Sequence, residues 1–275
     1  MSNGPIMDLV AKGEQDKYLL TDEIKSSIFY KEFSKHTNFS KGTVSFVSKS
    51  NTRWGGKVKF KIERIGDLLN SIYLVLKLPE LNLNNTSLST DDYRVKWLDY
   101  IGNIIIKEAN IYIGGRLIDK HTGEFMQIYN DVYDRSWAKD NLLGNNSSLN
   151  YPSIKIESEY IYIPLKFWFC ISTVKSLPMV ALQYHQVEIE IELRKFDECY
   201  NILKFVKDDN EENTTILQHT NETLQEVLFN DLRLDCQFIF LDSKERKYIA
   251  TKKHEILIYQ TQKNINNITG NLNLE

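Results

Sequence analysis

Short runs of alternating apolar and polar residues recur along the chain. Residues 57–63 read KVKFKIE, residues 71–79 read SIYLVLKLP, and residues 186–194 read QVEIEIELR. Because successive side chains of a β-strand point to opposite faces, each run predicts a strand with one buried face. The expected core positions on these faces are Phe60, Ile62, Leu74, Leu76, Ile189 and Ile191.

Further runs of the same kind favour strands by their aromatic and β-branched residues. They are residues 27–33, 43–48, 103–113, 160–169 and 235–242. Turn-forming residues separate the runs, most clearly at Gly66–Asp67 and Gly114–Gly115. Many short strands with turns between them are typical of an antiparallel sandwich or barrel, so the predicted fold class is all-β.

One segment departs from the period of two. Residues 122–133 predict a helix of about three turns, because their apolar side chains recur on one helical face. These side chains are Phe125, Ile128, Tyr129, Val132 and Tyr133. Thr122 is placed to cap the helix, and Glu124 lies in the first turn, where the helix dipole favours a carboxylate.

Two of the predicted strands carry rows of opposite charge on their polar faces. The rows consist of Lys57, Lys59 and Lys61, and of Glu188, Glu190 and Glu192. A row of carboxylates is able to bind a cation, but a solvated strand face is the favoured interpretation. If the two strands are neighbours, the rows pair across them and stabilise the sheet weakly.

The composition is that of a globular protein with little net charge. Of the 275 residues, 42% are hydrophobic and 26% are charged, and the formal net charge is −3. This balance argues against nucleic acid as a direct partner. Cys170, Cys199 and Cys236 lie far apart, which argues against a disulfide framework and favours a reducing compartment. Neither a signal peptide nor a transmembrane segment is predicted.

The stretch GGRLIDKHTGE, residues 114–124, raises the question of a reactive site, because it holds Asp119, His121 and Glu124. Its glycine pair supplies the positive φ of a tight hairpin turn, and the chain then passes from strand to helix. A cupin-type metal site needs a second histidine two residues from the first, and none is present. We therefore interpret the stretch as a structural corner, with no catalytic residue, metal or cofactor.

Five blocks of sequence carry a resemblance to a known family. They are residues 16–39 ending in HTNF, residues 57–79 containing RIGDL, residues 97–131 containing YIG, IGG, IDKH and GE, residues 163–194, and residues 238–262. In this order they resemble the major capsid proteins of the nucleocytoplasmic large DNA viruses, the group with iridoviruses, phycodnaviruses and mimiviruses. The blocks cover most of the chain.

The resemblance implies two jelly rolls in tandem, each a sandwich of about eight strands. It also implies that three subunits form a pseudo-hexagonal capsomer of an icosahedral shell. The implied partners are further copies of the chain, neighbouring capsomers and minor capsid proteins, and the implied location is the virion, assembled in the host cytoplasm. No enzymatic activity and no cofactor go with the family. Its turn and corner signatures fall on Gly66, Asp67, Gly114, Gly115, Asp119, His121 and Glu124.

The domain organisation is predicted from the polar run at 207–222, the strongest shift in composition. We expect an N-terminal arm at 1–25, a first jelly roll at 26–200, a linker at 201–231 and the truncated start of a second jelly roll at 232–275. An incomplete sheet leaves apolar side chains such as Phe238 and Phe240 exposed. The chain beyond about residue 231 is therefore expected to be mobile, sticky or domain-swapped, and the chain alone is not expected to form a stable trimer.

Two other classes of protein are open alternatives. A carbohydrate-binding, lectin-like jelly roll is the first, because fold alone does not fix function. It needs exposed aromatic side chains beside a loop, whereas Trp54, Trp97, Trp137 and Trp168 are scattered in the sequence. A cupin-like enzyme is the second, and the missing histidine pair argues against it.

Overall fold

The computed structural model describes residues 38–48, 53–86, 88–133, 136–207, 215–229 and 231–263. The chain divides into a short N-terminal unit, residues 1–39, and a main unit, residues 40–275, whose architecture is given below. The predicted arm at 1–25 and the predicted strand at 27–33 lie outside the described residues.

Strands form most of the regular structure. Strands β1 to β14 are, in order, Phe39–Val47, Lys57–Ile62, Leu68–Lys77, Leu81–Asn82, Tyr93–Trp97, Ile106–Ile113, Arg116–Thr122, Lys155–Ile156, Tyr160–Pro164, Leu177–Pro178, Val187–Leu193, Tyr200–Lys207, Thr215–His219 and Leu232–Leu241. Helices α1 to α6 are Ile101–Ile105, Gly123–Tyr133, Trp137–Leu142, Ser147–Asn150, Trp168–Ile171 and Ser243–Thr251. Short 3-10 turns span Leu83–Asn85, Thr173–Lys175 and Phe196–Glu198.

Two sheets form the body of the fold. One has the order β1-β14-β3, with β9 and β10 both paired to β3, and the other has the order β2-β11-β6-β7. If the principal strands β1, β2, β3, β6, β7, β9, β11 and β14 are counted one to eight, the first pairs with the eighth, the second with the seventh, the third with the sixth and the fourth with the fifth. A long hairpin rolled into a sandwich gives this pairing, which defines a jelly roll.

One hydrophobic core is shared by the two sheets. All six positions expected in it from the sequence are buried, namely Phe60, Ile62, Leu74, Leu76, Ile189 and Ile191. They belong to a single cluster of buried side chains that draws on both sheets. Alternation predicted these positions because each strand presents one face to the core and the other away from it.

The eighth strand corrects the predicted domain boundaries. Residues 232–275 were expected to begin a second jelly roll, but β14 pairs antiparallel with β3, from Leu232 opposite Leu76 to Ile239 opposite Leu68. The expected range of 26–200 for the first jelly roll is therefore too short, because the sheet is complete only at Leu241. The expectation that Phe238 and Phe240 are exposed is also wrong, since Phe238 is fully buried and Phe240 is partly buried against the core.

An insertion between the seventh and eighth principal strands explains the error. Its polar run suggested a linker at 201–231, yet most of β12 and all of β13 lie in that range. Both strands join β5 in a three-stranded sheet of order β13-β12-β5. A shift in composition marks a long surface insertion as well as a domain boundary, and composition alone does not distinguish them.

The predicted helix is present as α2, but its buried face differs from the predicted one. Gly123, Met126 and Asn130 are buried, whereas Ile128 and Val132 are exposed. The reason lies at Gly123, where an added Cβ would lie 2.1 Å from the backbone oxygen of Asn103. This close approach turns the glycine edge of α2 toward α1 and leaves Ile128 and Val132 facing outward. Helices α1, α3, α4 and α5, each of four to six residues, were not predicted, whereas the sequence from Ser243 suggested a short helical or irregular piece, and α6 forms there.

Candidate functional site

The glycine pair of the 114–124 stretch forms the hairpin turn between β6 and β7. Gly114 and Gly115 have φ of 58° and 78°, the left-handed region that favours glycine. Gly114 also lies under the ring of His185, since an added Cβ would be 2.6 Å from His185 Nδ1. A side chain at Gly114 is therefore excluded by both backbone conformation and space.

Asp119 and His121 meet on one face of β7, as residues two apart on a strand do. His121 Nε2 lies 3.0 Å from Asp119 Oδ2, and both side chains are buried. The imidazole stacks on Phe167, with ring centroids 5.0 Å apart, and contacts Phe125 from another side. This aromatic packing encloses the pair and makes it part of the corner.

Glu124 is exposed and binds basic side chains instead of joining that pair. Its carboxylate contacts Arg194 Nη2 and lies 3.3 Å from Lys263 Nζ. Partial burial works to raise the pKa of Glu124, but hydrogen bonds from Thr122 and from its own backbone N–H, together with the Arg194 charge, lower it below its usual value. Glu124 is therefore an anion at neutral pH that attracts cations to the start of α2.

Gly66 and Asp67 form a second corner, which contacts the eighth strand. An added Cβ on Gly66 would lie 2.5 Å from Phe238 Cβ, so only glycine allows this packing. The buried carboxylate of Asp67 accepts a hydrogen bond from the Leu241 backbone N–H (2.8 Å) and pairs with Arg246 Nε (2.8 Å). The turn signature thus holds the end of β14.

The basic partners of these carboxylates were not predicted from the sequence. Arg194, Arg246 and Lys263 each pair with a carboxylate that is far away along the chain. One signal was present: residues 243–263 contain six Lys and Arg residues but only two Glu. Such a bias indicates an acidic docking surface, although it does not show where that surface lies.

The two charged rows face each other, as the sequence suggested for neighbouring strands. In the register of β2 and β11, Glu188 lies opposite Lys61, Glu190 opposite Lys59 and Glu192 opposite Lys57. Lys59 Nζ lies 3.0 Å from Glu190, Lys57 Nζ lies 3.3 Å from Glu192, and Lys107 also pairs with Glu192. Because lysines hold Glu190 and Glu192, the cation-binding interpretation loses its support.

Removal of Lys107, which pairs with Glu192, should change the pH dependence of the stability. A hydrogen bond from Lys107 is the main cause that lowers the pKa of Glu192, and burial opposes it. A carboxyl with a lowered folded pKa stabilises the fold above its unfolded pKa, and this contribution is lost as pH falls through the folded pKa. We expect Lys107→Met to lower the Tm slightly at neutral pH, since Lys107 is exposed and solvent screens its ion pair with Glu192.

Thermal unfolding followed across pH checks this expectation. The deficit in Tm of Lys107→Met should be present at neutral pH and should disappear as pH falls below the lowered pKa of Glu192. Lys61→Met is the matched control, because Lys61 belongs to the lysine row of β2 but lies opposite Glu188 and not Glu192. It should leave the pH profile nearly unchanged. Equal deficits in the two variants at every pH would contradict the role assigned to Glu192.

Metal binding is not expected. In the part of the chain that the structure describes, no group of three or more His, Cys, Asp or Glu side chains is placed to hold a metal ion. Burial raises the pKa of the Cys170 and Cys199 thiols to about 12, which disfavours the thiolate that a metal needs. Elemental analysis of the purified protein should find no stoichiometric zinc, iron or manganese, and a stoichiometric ion would overturn this prediction.

Exposed apolar side chains follow the outer face of α2 into α3. We call this set, Ile128, Val132, Tyr133 and Trp137, the apolar surface; their exposed fractions are 62%, 65%, 75% and 81%. A groove of about 320 Å³, lined in part by Tyr100, Ile104 and Ile128, runs beside it. Exposed apolar and aromatic side chains on neighbouring elements are typical of a protein–protein contact.

The tryptophans do not form a carbohydrate platform. Trp54, Trp97 and Trp168 are buried, and only Trp137 of the four is exposed. Trp54 stacks on Phe229 with ring centroids 4.1 Å apart and donates its Nε1–H to the Val227 backbone oxygen (2.7 Å). Trp54 therefore anchors the insertion before β14 to the core.

Among the helices of the described residues, none combines the length and the hydrophobicity of a membrane span.

The jelly-roll topology and the corners that hold the chain together are typical of a structural protein. Comparison with known proteins agrees: residues 27–261 match the family described as "Major capsid protein N-terminus". The chain belongs to this family of viral major capsid proteins.

Individual relatives support the assignment. The chain is 31% identical to the major capsid protein of Phaeocystis pouchetii virus, over 94% of the chain and 52% of that protein. It is 32% identical to capsid protein 1 of Acanthamoeba polyphaga mimivirus, over 94% of the chain and 43% of that protein. The chain thus spans about half the length of these relatives.

Solved structures show the same fold at low sequence identity. The VP54 capsid protein of PBCV-1 aligns over 84% of the chain and 49% of its own, with a TM-score of 0.63 and 22% identity. The Faustovirus major capsid protein aligns over 86% of the chain and 59% of its own, with a TM-score of 0.57 and 11% identity. At this level of identity the alignments support the fold alone.

Proposed function

We propose that the complete protein is the major capsid protein of a large DNA virus and builds an icosahedral shell. The observation that carries the proposal is the match of residues 27–261 to the capsid family, on a chain whose strands complete a jelly roll. Its relatives are named as capsid proteins, which are structural molecules. The proposal therefore includes no catalytic step and no cofactor.

The proposed partners are further copies of the same protein. Three subunits would form a pseudo-hexagonal capsomer, and capsomers would pack side by side in the virion after assembly in the host cytoplasm. Minor capsid proteins are proposed as secondary partners, and nucleic acid is not proposed as a direct one. The apolar surface on α2 and α3 supports self-association, because it is rich in aromatic side chains, as interface cores are.

The proposed division into domains follows the topology of the sheets. We place the end of the first jelly roll at Leu241, since β14 completes its sheet. Residues 242–263 follow it, and a second jelly roll is proposed for a later part of the complete protein. The N-terminal arm at 1–25 stays a prediction.

Sedimentation velocity of the complete protein tests the proposed assembly. We expect a trimer, and we expect Trp137→Ser to shift it toward monomer by about tenfold in the association constant, because interface aromatics dominate association. Tyr184→Ser is the matched control, since Tyr184 is also almost fully exposed but lies outside the apolar surface. A monomeric complete protein that binds strongly to a glycan array would instead favour the lectin-like alternative.

A further inference from the structure

The segment that follows the jelly roll returns to its surface. We call residues 243–263 the basic strap; it contains α6 and then a stretch without regular secondary structure from Lys252 to Lys263. Six of its residues are Lys or Arg and two are Glu, which gives a formal charge of +4. An acidic surface is the complementary partner for such a segment.

The first contact of the basic strap is with Asp67. This carboxylate is buried, yet it accepts a hydrogen bond from Leu241 at the end of β14 and pairs with Arg246 in α6. The Arg246 side chain is 61% exposed, whereas that of Asp67 is buried, so the ion pair lies at the surface where the strap leaves the core. A buried carboxylate that is held by a backbone N–H is a fixed charge, and it sets the position of the arginine.

The second contact lies on β7 and at the start of α2. The Gln260 side chain donates to the Ile118 backbone oxygen, and the Thr261 N–H donates to Asp119 Oδ1 (3.3 Å). Lys263 Nζ donates to Glu124 Oε2 (3.3 Å). Nearby, Lys175 Nζ lies 4.5 Å from the ring centroid of Tyr259. Four residues of the strap thus contact the body of the fold within one short stretch.

The place of the second contact is significant because β7 is an edge strand of its sheet. An uncovered edge presents unpaired backbone groups that invite aggregation, and proteins cover such edges with a loop or a charge. The basic strap covers part of this edge at Ile118. Asp119 has a double role, since its other oxygen lies beside His121.

We propose that Asp67, Asp119 and Glu124 together form a docking track for the basic strap. The three carboxylates bind a basic segment of the protein's own chain near both of its ends. It covers the β7 edge and sets the direction in which the chain leaves the first jelly roll. The docking itself does not rest on the proposed function. The idea that this direction places a second jelly roll does rest on it.

Hydrogen–deuterium exchange on the 275-residue chain tests the docking track. We expect residues 256–263 to exchange more slowly than an unstructured peptide, and Lys263→Glu to speed their exchange by about tenfold. Lys247→Glu is the matched control, since it makes the same change of charge in the strap away from the three carboxylates. It should leave the exchange of residues 256–263 within about twofold of the unchanged chain.

A charge swap separates docking from a general effect on the fold. Glu124→Lys should also release the strap, and the double variant Glu124→Lys with Lys263→Glu should restore slow exchange, because the pair is re-formed with reversed charge. Exchange at the rate of a free peptide in the unchanged chain would overturn the proposal, as would equal effects of Lys263→Glu and Lys247→Glu. Neither result depends on capsid assembly, so each leaves the proposed function untouched.

Discussion

A chain that ends after residue 231 is expected not to fold, whereas a chain that ends after residue 263 is expected to fold cooperatively. The shorter chain lacks β14, which lies between β1 and β3 in its sheet. Five side chains of β14 are buried, namely Leu232, Leu234, Cys236, Phe238 and Ile239. At about 2 kcal/mol for each side chain, their loss is on the order of 10 kcal/mol, comparable with the whole stability of a typical domain.

Soluble yield and thermal unfolding by circular dichroism decide this prediction. The chain of residues 1–263 is the control, because it keeps every strand of both principal sheets. Addition of a synthetic peptide of residues 232–241 to the shorter chain should recover part of the signal by strand complementation. A cooperative transition of the 1–231 chain at the Tm of the control would show that β14 is dispensable and that the boundary at Leu241 is misplaced.

Replacement of Ile189 by Asp should abolish soluble expression. Ile189 is fully buried in β11, where it lies between Phe60 of β2 and Ile111 of β6. A carboxylate at this position would be surrounded by apolar side chains, and the cost of burying it is at least about 4 kcal/mol. This cost takes up a large part of the stability of an ordinary domain.

A substitution on the opposite face of the same strand is the matched control. Glu188→Gln changes a neighbouring residue that is not fully buried, so we expect a change in stability within about 0.5 kcal/mol. Urea unfolding of both variants gives the comparison if Ile189→Asp remains soluble. Normal yield and an unchanged Tm for Ile189→Asp would contradict the placement of β11 in the core.

The sequence predicted the strands and the core well because alternation is a local property. Phe60 and Ile189 lie on clean runs of period two, and both are buried in the structure. The pairing of the lysine and glutamate rows was also predicted for neighbouring strands, since opposite charges that face each other across two strands attract. These features depend on each strand and its immediate neighbour.

Features that depend on long-range contacts were not predictable in the same way. The stripe on α2 at Ile128 and Val132 has helical spacing, but the close approach at Gly123 decides which face is buried. The strand at Leu232 follows a long insertion, so no local signal assigns it to the first sheet. Arg246 pairs with Asp67 and Lys263 pairs with Glu124, and in each pair the two residues are more than a hundred positions apart in sequence.

Electron microscopy of the purified complete protein tests the central claim most directly. If the protein is a capsid subunit built on this jelly roll, negatively stained fields should show trimers with a pseudo-hexagonal outline, or shells tiled with them. Monodisperse monomers at every concentration, with no capsomers and no shells, would contradict the claim.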